Sequence, residues 1–247
     1  MTLKIYIGTE RNQFVTQRVL QYSIDSSASN PVITIPLHQQ FRRVGGTNFG
    51  FVRFTVPSMN NFSGRAAYLD ADQVVLSDIT KLFESLPQTH AIGLVTKPEG
   101  TFGGKIISEG NQTSVMILDC SKLSTWNVPK LFENVVPNRQ ELSADQIHYR
   151  DFMALKWFDQ SQIFSIPPSW NHFNVVQSDS NLVHFSHVRS QPWRDPTHPL
   201  SDWWNEWLVK AVNGRYLSRS RLRFEISRGH VNKKFQISYR RGNFAAQ

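Results

Sequence analysis

The sequence predicts an α/β fold, with one mainly parallel, mixed, Rossmann-like sheet flanked by helices. Three observations predict it. Short apolar runs recur along the chain, bounded by Gly, Pro or polar residues. Segments whose apolar residues return every three or four positions stand between them. The 247 residues are 40% apolar and 12% aromatic, enough for a packed core around such a sheet and unlike a disordered chain.

The elements follow in order. Leu3 to Gly8 reads as a buried strand ending at Gly8-Thr9. Arg11 to Ile24 has helical spacing through Phe14, Val15, Arg18, Val19 and Tyr22. Pro31 to Pro36 encloses the strand Val32-Ile33-Thr34-Ile35. Gln39 to Asn48 is polar and contains Gly, so a loop is expected, and Phe49 to Met59 reads as partly helical. Arg65 to Leu69 is a strand, Val74-Val75-Leu76 a second apolar run, and Asp78 caps a helix through Leu86. His90 to Val95 is a strand, Pro98 to Gln112 a flexible loop, and Ser114 to Leu118 a strand. A helix is expected from about Ser121 to Val135 and another from Ser143 through Met153. Apolar runs at Ile163 to Ile166 and Leu182 to Phe185 precede a tryptophan-rich helix over Ser201 to Val212.

The net charge of +8 is concentrated at one end. Residues 210–247 carry ten Lys or Arg and one acid, Glu225, whereas residues 1–209 carry 17 basic and 18 acidic side chains. The expected organisation is a body over 1–209 and a basic C-terminal extension over 210–247. The basic end suits an anionic surface, and a solvated basic face with no specific partner explains it equally. Aromatics Tyr216, Phe224, Phe235 and Tyr239 alternate with its cations, but no nucleic-acid motif accompanies them, so no specific nucleic acid is expected. The single Cys120 fits a reducing compartment, no stretch reaches the length of a membrane span, and Met1-Thr2-Leu3-Lys4 is no signal peptide. A cytoplasmic protein is expected, with peripheral contact to the inner face of a membrane through the basic end.

The chemistry centres on Asp70-Ala71-Asp72, where Ala66-Ala67-Tyr68-Leu69 stops and Val74-Val75-Leu76 starts. Two carboxylates at the end of a buried strand are costly as ions, and a shared divalent cation offsets the cost. Ligands of open α/β sheets bind beyond the carboxyl ends of strands, where this pair lies. Two surface aspartates at a strand-to-turn junction fit the same three residues.

The stretch from Gly64-Arg65 through Leu69-Asp70-Ala71-Asp72 to Asp78-Ile79, completed by Lys81-Leu82-Phe83, resembles the signature of family 8 glycosyltransferases, the group of glycogenin and bacterial lipopolysaccharide sugar transferases. His184-Phe185-Ser186-His187-Val188-Arg189-Ser190-Gln191-Pro192-Trp193 is similar to the family's late His-Phe-x-Gly-x-x-Lys-Pro-Trp motif. Here His187 replaces Gly, Gln191 replaces Lys, and one residue is extra. The resemblance implies a single GT-A-type domain, with a donor half over about 1–115 and an acceptor half over 116–209. It implies Mn²⁺ (or Mg²⁺) on Asp70, Asp72 and His184, and imidazole beside carboxylates suits Mn²⁺. It further implies transfer of a hexose with retention from a nucleotide sugar, uridine diphosphate by resemblance, to a glycan, lipid-linked or protein acceptor.

The same resemblance implies the donor-binding residues. Arg53, seventeen residues before Asp70, reaches the donor sugar and phosphates; a buried ion pair explains it equally. Asp145-Gln146 contacts the transferred sugar, with Asp145 and Arg53 as the catalytic candidates; a helix-start carboxylate is the plainer account of Asp145. Gly8-Thr9-Glu10 lies in the base-binding loop, Arg65 opens the signature, and Gln112 stands where the family has Asn. Arg189 or Gln191 takes the place of the phosphate-binding Lys.

Two other readings compete. A phosphatase of the haloacid dehalogenase class would use Asp70 and Asp72, but needs a later acidic pair that the sequence lacks. A non-catalytic nucleic-acid or membrane-binding protein would act through the basic end.

Overall fold

The computed structural model describes residues 2–38, 50–97, 100–102, 105–107, 110–126, 128–137 and 142–235. The loop expected at Gln39 to Asn48 lies outside them.

β1 (Leu3–Gly8) leads through a 3₁₀ turn into α1 (Phe14–Ser27) and β2 (Val32–Leu37). A 3₁₀ helix over Gly50–Thr55 and α2 (Val56–Met59) precede β3 (Arg65–Asp70), β4 (Gln73–Val75) and α3 (Thr80–Glu84). β5 (Ile92–Lys97), β6 (Gly100–Phe102), β7 (Lys105–Ile107) and β8 (Gly110–Asp119) follow, then α4 (Val128–Glu133), β9 (Val135–Val136), β10 (Ile147–His148) and α5 (Tyr149–Met153). β11 (Ile163–Ser165), β12 (His172–Phe173), β13 (Leu182–His184), α6 (Ser201–Asn213) and α7 (Arg219–Ser227) complete the order.

The central sheet has the order β11-β5-β8-β3-β1-β2. Only β8 runs against its neighbours, so the sheet is mixed and mainly parallel, as expected. Strand alternation splits its side chains into two cores. Tyr6, Tyr68, Met116 and Leu118 face Phe51, Phe54, Trp126 and Phe152. Ile5, Ile7, Ala67, Leu69 and Ile117 face Leu20 and Ile24 of α1 and Leu82 and Phe83 of α3. The near-continuous apolar character of β1 and β3 follows from this burial on both faces.

A third core lies outside the sheet. Val15 and Val19 of α1 meet Trp204, Leu208 and Ala211 of α6, Leu222 and Ile226 of α7, and Trp193. The boundary expected between 209 and 210 therefore falls inside α6, and the basic segment through Phe235 packs into this core rather than trailing from it. Among its cations, Arg219, Arg221 and Arg223 of α7 and Arg228 just past it are exposed.

Three other expectations change. The loop expected over Pro98 to Gln112 contains the antiparallel pair β6–β7, and β8 already begins at Gly110, paired with β5. The helix expected over Ser121 to Val135 breaks into a 3₁₀ helix, Cys120–Leu123, and the short α4. Pro129 has no N–H to carry a helix across the gap. The helix expected from Ser143 starts only at Tyr149, because Ile147 and His148 pair with Val135 and Val136.

Candidate metal centre

Sheet topology brings the site together. β1 continues to β2 on one side and borders β3 on the other, so the carboxyl ends of β1 and β3 form a switch point. Gly8 is in register with Asp70, and the Gly8 carbonyl accepts the Ala71 N–H at 3.0 Å. This fixes the turn Asp70-Ala71-Asp72 against β1. Ala71 is fully buried and points into the sheet core, which leaves its two neighbours on the other side. β4 then pairs antiparallel with β13, placing His184 opposite Gln73, and the Phe185 N–H donates to the Asp72 carbonyl at 2.9 Å. Backbone pairing thus joins residues more than a hundred positions apart.

Among the described residues, Asp70, Asp72 and His184 offer ligand atoms that all lie within 4.8 Å of one another, and all three are buried. Their partners define which lone pairs stay open. Asp70 Oδ1 accepts from Arg53 Nη2 at 3.0 Å and from the Tyr68 hydroxyl at 2.7 Å, while Oδ2, among the described residues, accepts from Arg53 Nη2 alone, at 3.2 Å. Asp72 Oδ2 accepts from Gln191 Nε2 at 3.1 Å. Asp72 Oδ1 is buried, accepts no hydrogen bond from the described residues and stands 3.3 Å from His184 Nε2. Asn171 Nδ2 donates to Ser114 Oγ at 3.0 Å, so its Oδ1 faces His184 Nδ1, also at 3.0 Å. Nδ1 then carries the ring proton, and the Nε2 lone pair faces Asp72 Oδ1.

The charges agree. Two carboxylates against one guanidinium leave an excess negative charge in a buried site. Burial raises the Asp70 carboxyl, Arg53 opposes the rise and Asp72 adds to it, and His184 opposes it when its ring is protonated. Burial likewise lifts the Tyr68 hydroxyl well above its ordinary value, with Asp70 contributing, which keeps it a hydrogen-bond donor. A carboxylate–carboxylate–imidazole set with open lone pairs at Asp70 Oδ2, Asp72 Oδ1 and His184 Nε2 fits a divalent cation.

Arg53 joins the site through the ion pair with Asp70, stacked over the Tyr68 ring at 5.1 Å and donating from Nη1 to Thr113 Oγ1 at 2.8 Å. Both accounts of this residue, structural pair and site member, meet in one geometry. Gly8 and Thr9 lie on the same sheet edge, and Thr9 is buried.

Other expected residues stand elsewhere. Arg65 is at the opposite end of β3, where Nη1 donates to the Phe83 carbonyl at 2.8 Å and finishes α3; strand geometry separates it from the triad. Gln191 does not face outward as a lysine substitute. It is buried and holds Asp72 and the Phe185 carbonyl. Arg189 is exposed in the turn after His187. Gln112 donates along its own strand to the Gly110 carbonyl at 3.3 Å. Asp145 is exposed on the turn before β10, its carboxyl lowered by the Ser143 hydroxyl, which donates to it at 2.7 Å; Gln146 Oε1 accepts from the Ser143 N–H. None of the described hydrogen bonds or ion pairs links Asp145 to the triad.

The supporting residues absent from the sequence reading are Tyr68, Thr113, Ser114 and Asn171. Thr113 and Ser114 adjoin Gln112, but they bond Arg53 and Asn171, whereas Gln112 bonds neither. Tyr68 was legible in principle, since alternation puts residue 68 on the same face as 70.

No family profile matches the chain. It is 25% identical to Protein CDI of Arabidopsis thaliana over 223 residues, covering 78% of this chain and 80% of that protein. Solved structures resemble it at lower identity. The galactosyltransferase LgtC, in complex with donor and acceptor sugar analogs, matches with a TM-score of 0.61 at 13% identity, over 84% of this chain and 95% of its own. The glycosyltransferase GlyE of Streptococcus pneumoniae matches with 0.63 at 14%, over 87% of this chain and 63% of its own. The bifunctional WbbM matches with 0.61 at 11%, and this chain spans half its length. The six-stranded mixed sheet, with the Asp-Ala-Asp turn at its switch point, is therefore the GT-A fold of these glycosyltransferases.

Proposed function

We propose that this chain is a metal-dependent glycosyltransferase that moves a hexose from a nucleotide sugar, uridine diphosphate being the expected carrier, to a glycan, lipid-linked or protein acceptor, with retention. One observation carries the reading: the buried Asp72 Oδ1, without a hydrogen bond from the described residues, faces His184 Nε2 at the carboxyl edge of a GT-A sheet. A bound Mn²⁺ or Mg²⁺ on Asp70, Asp72 and His184 would act as a Lewis acid on the leaving diphosphate.

The chain's own residues do the rest. Arg53 and Tyr68 fix the Asp70 carboxylate, and Gln191 and Asn171 orient Asp72 and His184. Thr9 flanks the donor at the end of β1. Asp145 and Gln146 address the transferred sugar from the exposed turn before β10, and Arg189 addresses the phosphates from outside the metal ligands. The sheet order and the GT-A likeness disfavour the dehalogenase-type phosphatase. No helix among the described residues is long and apolar enough to cross a membrane, which leaves the basic face of α7 as the candidate for membrane contact.

The test screens nucleotide sugars for Mn²⁺-dependent hydrolysis, which needs no acceptor. Hydrolysis of at least one uridine diphosphate sugar, abolished in Asp72→Ala without loss of folding, is the expected result. Absence of metal-dependent hydrolysis and of donor binding across the panel would refute the reading.

A further inference from the structure

Gln73 directly follows the Asp-Ala-Asp turn, opens β4 and is 1% exposed. Its Nε2 donates to the Ser114 carbonyl at 2.9 Å. A carbonyl only accepts, so this bond fixes which end of the amide is which. The other end, Oε1, is buried and has no hydrogen-bond partner among the described residues. A buried amide oxygen left unpaired is costly, and the proposed reaction has so far used only its neighbours. We propose that Gln73 Oε1 is a fourth protein ligand of the divalent cation, beside Asp70, Asp72 and His184. The inference rests on the triad holding that cation.

Backbone pairing places the amide among the triad. Gln73 is in register with His184 across the antiparallel β4–β13 pair. The Phe185 N–H donates to the Asp72 carbonyl, and the Leu76 N–H to the Asn181 carbonyl. Hydrogen-bonded pairs alternate along such a ladder, so Gln73 and His184 are a non-hydrogen-bonded pair. Side chains of such a pair share one face and approach most closely. On the other side, Leu69 is in register with Val115, so Ser114 stands level with Asp70. Gln73 therefore adjoins Asp72 in sequence, opposes His184 across the ladder, and is tied through Nε2 to the residue level with Asp70.

Ser114 anchors more than this amide. Its Oγ accepts from Asn171 Nδ2, and Asn171 Oδ1 faces His184 Nδ1. One residue of β8 thus holds both the imidazole, through Asn171, and the Gln73 amide, which preorganises Oε1 in the way that outer partners orient metal ligands. The chemistry suits the ion. Mn²⁺ and Mg²⁺ take carbonyl oxygens alongside carboxylates and need more ligands than the triad supplies. An amide oxygen contributes a dipole without adding charge, in a buried site where two carboxylates already exceed one guanidinium.

Mn²⁺ binding is measured on the full chain by electron paramagnetic resonance, with no donor or acceptor present. Protein carrying ¹³C at its glutamine side-chain carbonyls shows a ¹³C coupling to the bound Mn²⁺ in electron–nuclear double resonance, and Gln73→Met removes it. Gln73→Met also binds Mn²⁺ about tenfold more weakly. Gln73→Glu binds it more tightly, although loss of the bond to Ser114 lowers its metal-free Tm. A side chain that only braces Ser114 gives neither the coupling nor the tighter binding. Circular dichroism verifies that each variant folds, and the coupling in the wild-type chain needs no variant. Wild-type Mn²⁺ binding without a ¹³C coupling, or equal affinity in Gln73→Met, would overturn the proposal and leave the triad standing. A wild-type chain that binds no Mn²⁺, or Asp72→Asn binding it as tightly as wild type, would overturn both.

Discussion

His184 Nε2 faces Asp72 Oδ1 across 3.3 Å, and Asp72 Oδ1 accepts no hydrogen bond from the described residues. With His184 Nδ1 engaged by Asn171, two lone pairs confront each other in a buried site. A cation between them removes the repulsion, so the protein should gain stability from a divalent metal. At a hundredfold excess over its dissociation constant, a native-state ligand adds about 2.7 kcal/mol, on the order of 5–10 °C in Tm for a chain of this size. Calorimetry with Mn²⁺ and with chelator checks this. Asp72→Asn should abolish the metal shift while folding normally; a wild-type Tm insensitive to Mn²⁺ would count against the site.

Asn171 acts one step behind the ligand. Its Oδ1 fixes the His184 tautomer, and its Nδ2 is anchored on Ser114. Removing such a supporting hydrogen bond costs about 10–100-fold in metal affinity. Asn171→Ala should therefore require more Mn²⁺ to reach the same Tm shift, whereas Asn171→Asp, which keeps an acceptor, should retain much of the affinity. Metal titration followed by differential scanning separates the two.

Arg53 and Asp70 form the buried ion pair beneath the site. Arg53→Leu leaves the Asp70 charge in a low-dielectric setting with the Tyr68 hydroxyl as its remaining donor, a loss of about 3–5 kcal/mol. The double variant Arg53→Leu, Asp70→Leu should recover part of that loss, since no unpaired charge remains. Urea denaturation of the metal-free proteins measures both. A single variant as stable as wild type would mean that Asp70 is not an ion in the metal-free protein.

Why some of this was legible in the sequence and some was not is a matter of chain distance. Strands β1 and β3 declare themselves because burial on both faces makes Ile5 to Ile7 and Ala66 to Leu69 continuously apolar. The Asp70-Ala71-Asp72 pair is local, and His184 follows an apolar strand, so both stand out. Gln191 does not reveal its direction: replacing a lysine suggested an outward role, but only the fold shows its amide turned onto Asp72, 119 residues away. Arg65 misled for the reason that strand length is invisible in a motif read as letters, since both ends of β3 belong to one signature. The basic segment reads as cations alternating with aromatics, Phe235 among them, and that pattern hides the seating of Leu222, Ile226 and Phe235 in the core.

Asp78 provides the pH test. Its Oδ1 accepts the N–H of Ser29 at 3.1 Å and that of Thr80 at 2.9 Å, tying the end of α1 to the start of α3. Slight burial raises its carboxyl, and the hydrogen bonds from Ser29 and Thr80 outweigh that and hold it down to about 2, from an ordinary 3.8. The folded-state value is the lower one, so between the two values the unfolded chain carries more protons, and stability rises with pH there. The contribution of Asp78 is thus complete above its ordinary value and fades as the pH falls toward 2. Asp78→Ala should cost about 1 kcal/mol at neutral pH, as for loss of a helix cap. The gap between wild type and variant should then narrow steadily on acidification through this window. Denaturation curves of both proteins from pH 6 down to about 2 give the comparison; a gap that stays constant with pH would show that the two hydrogen bonds do not depend on the ionised carboxylate.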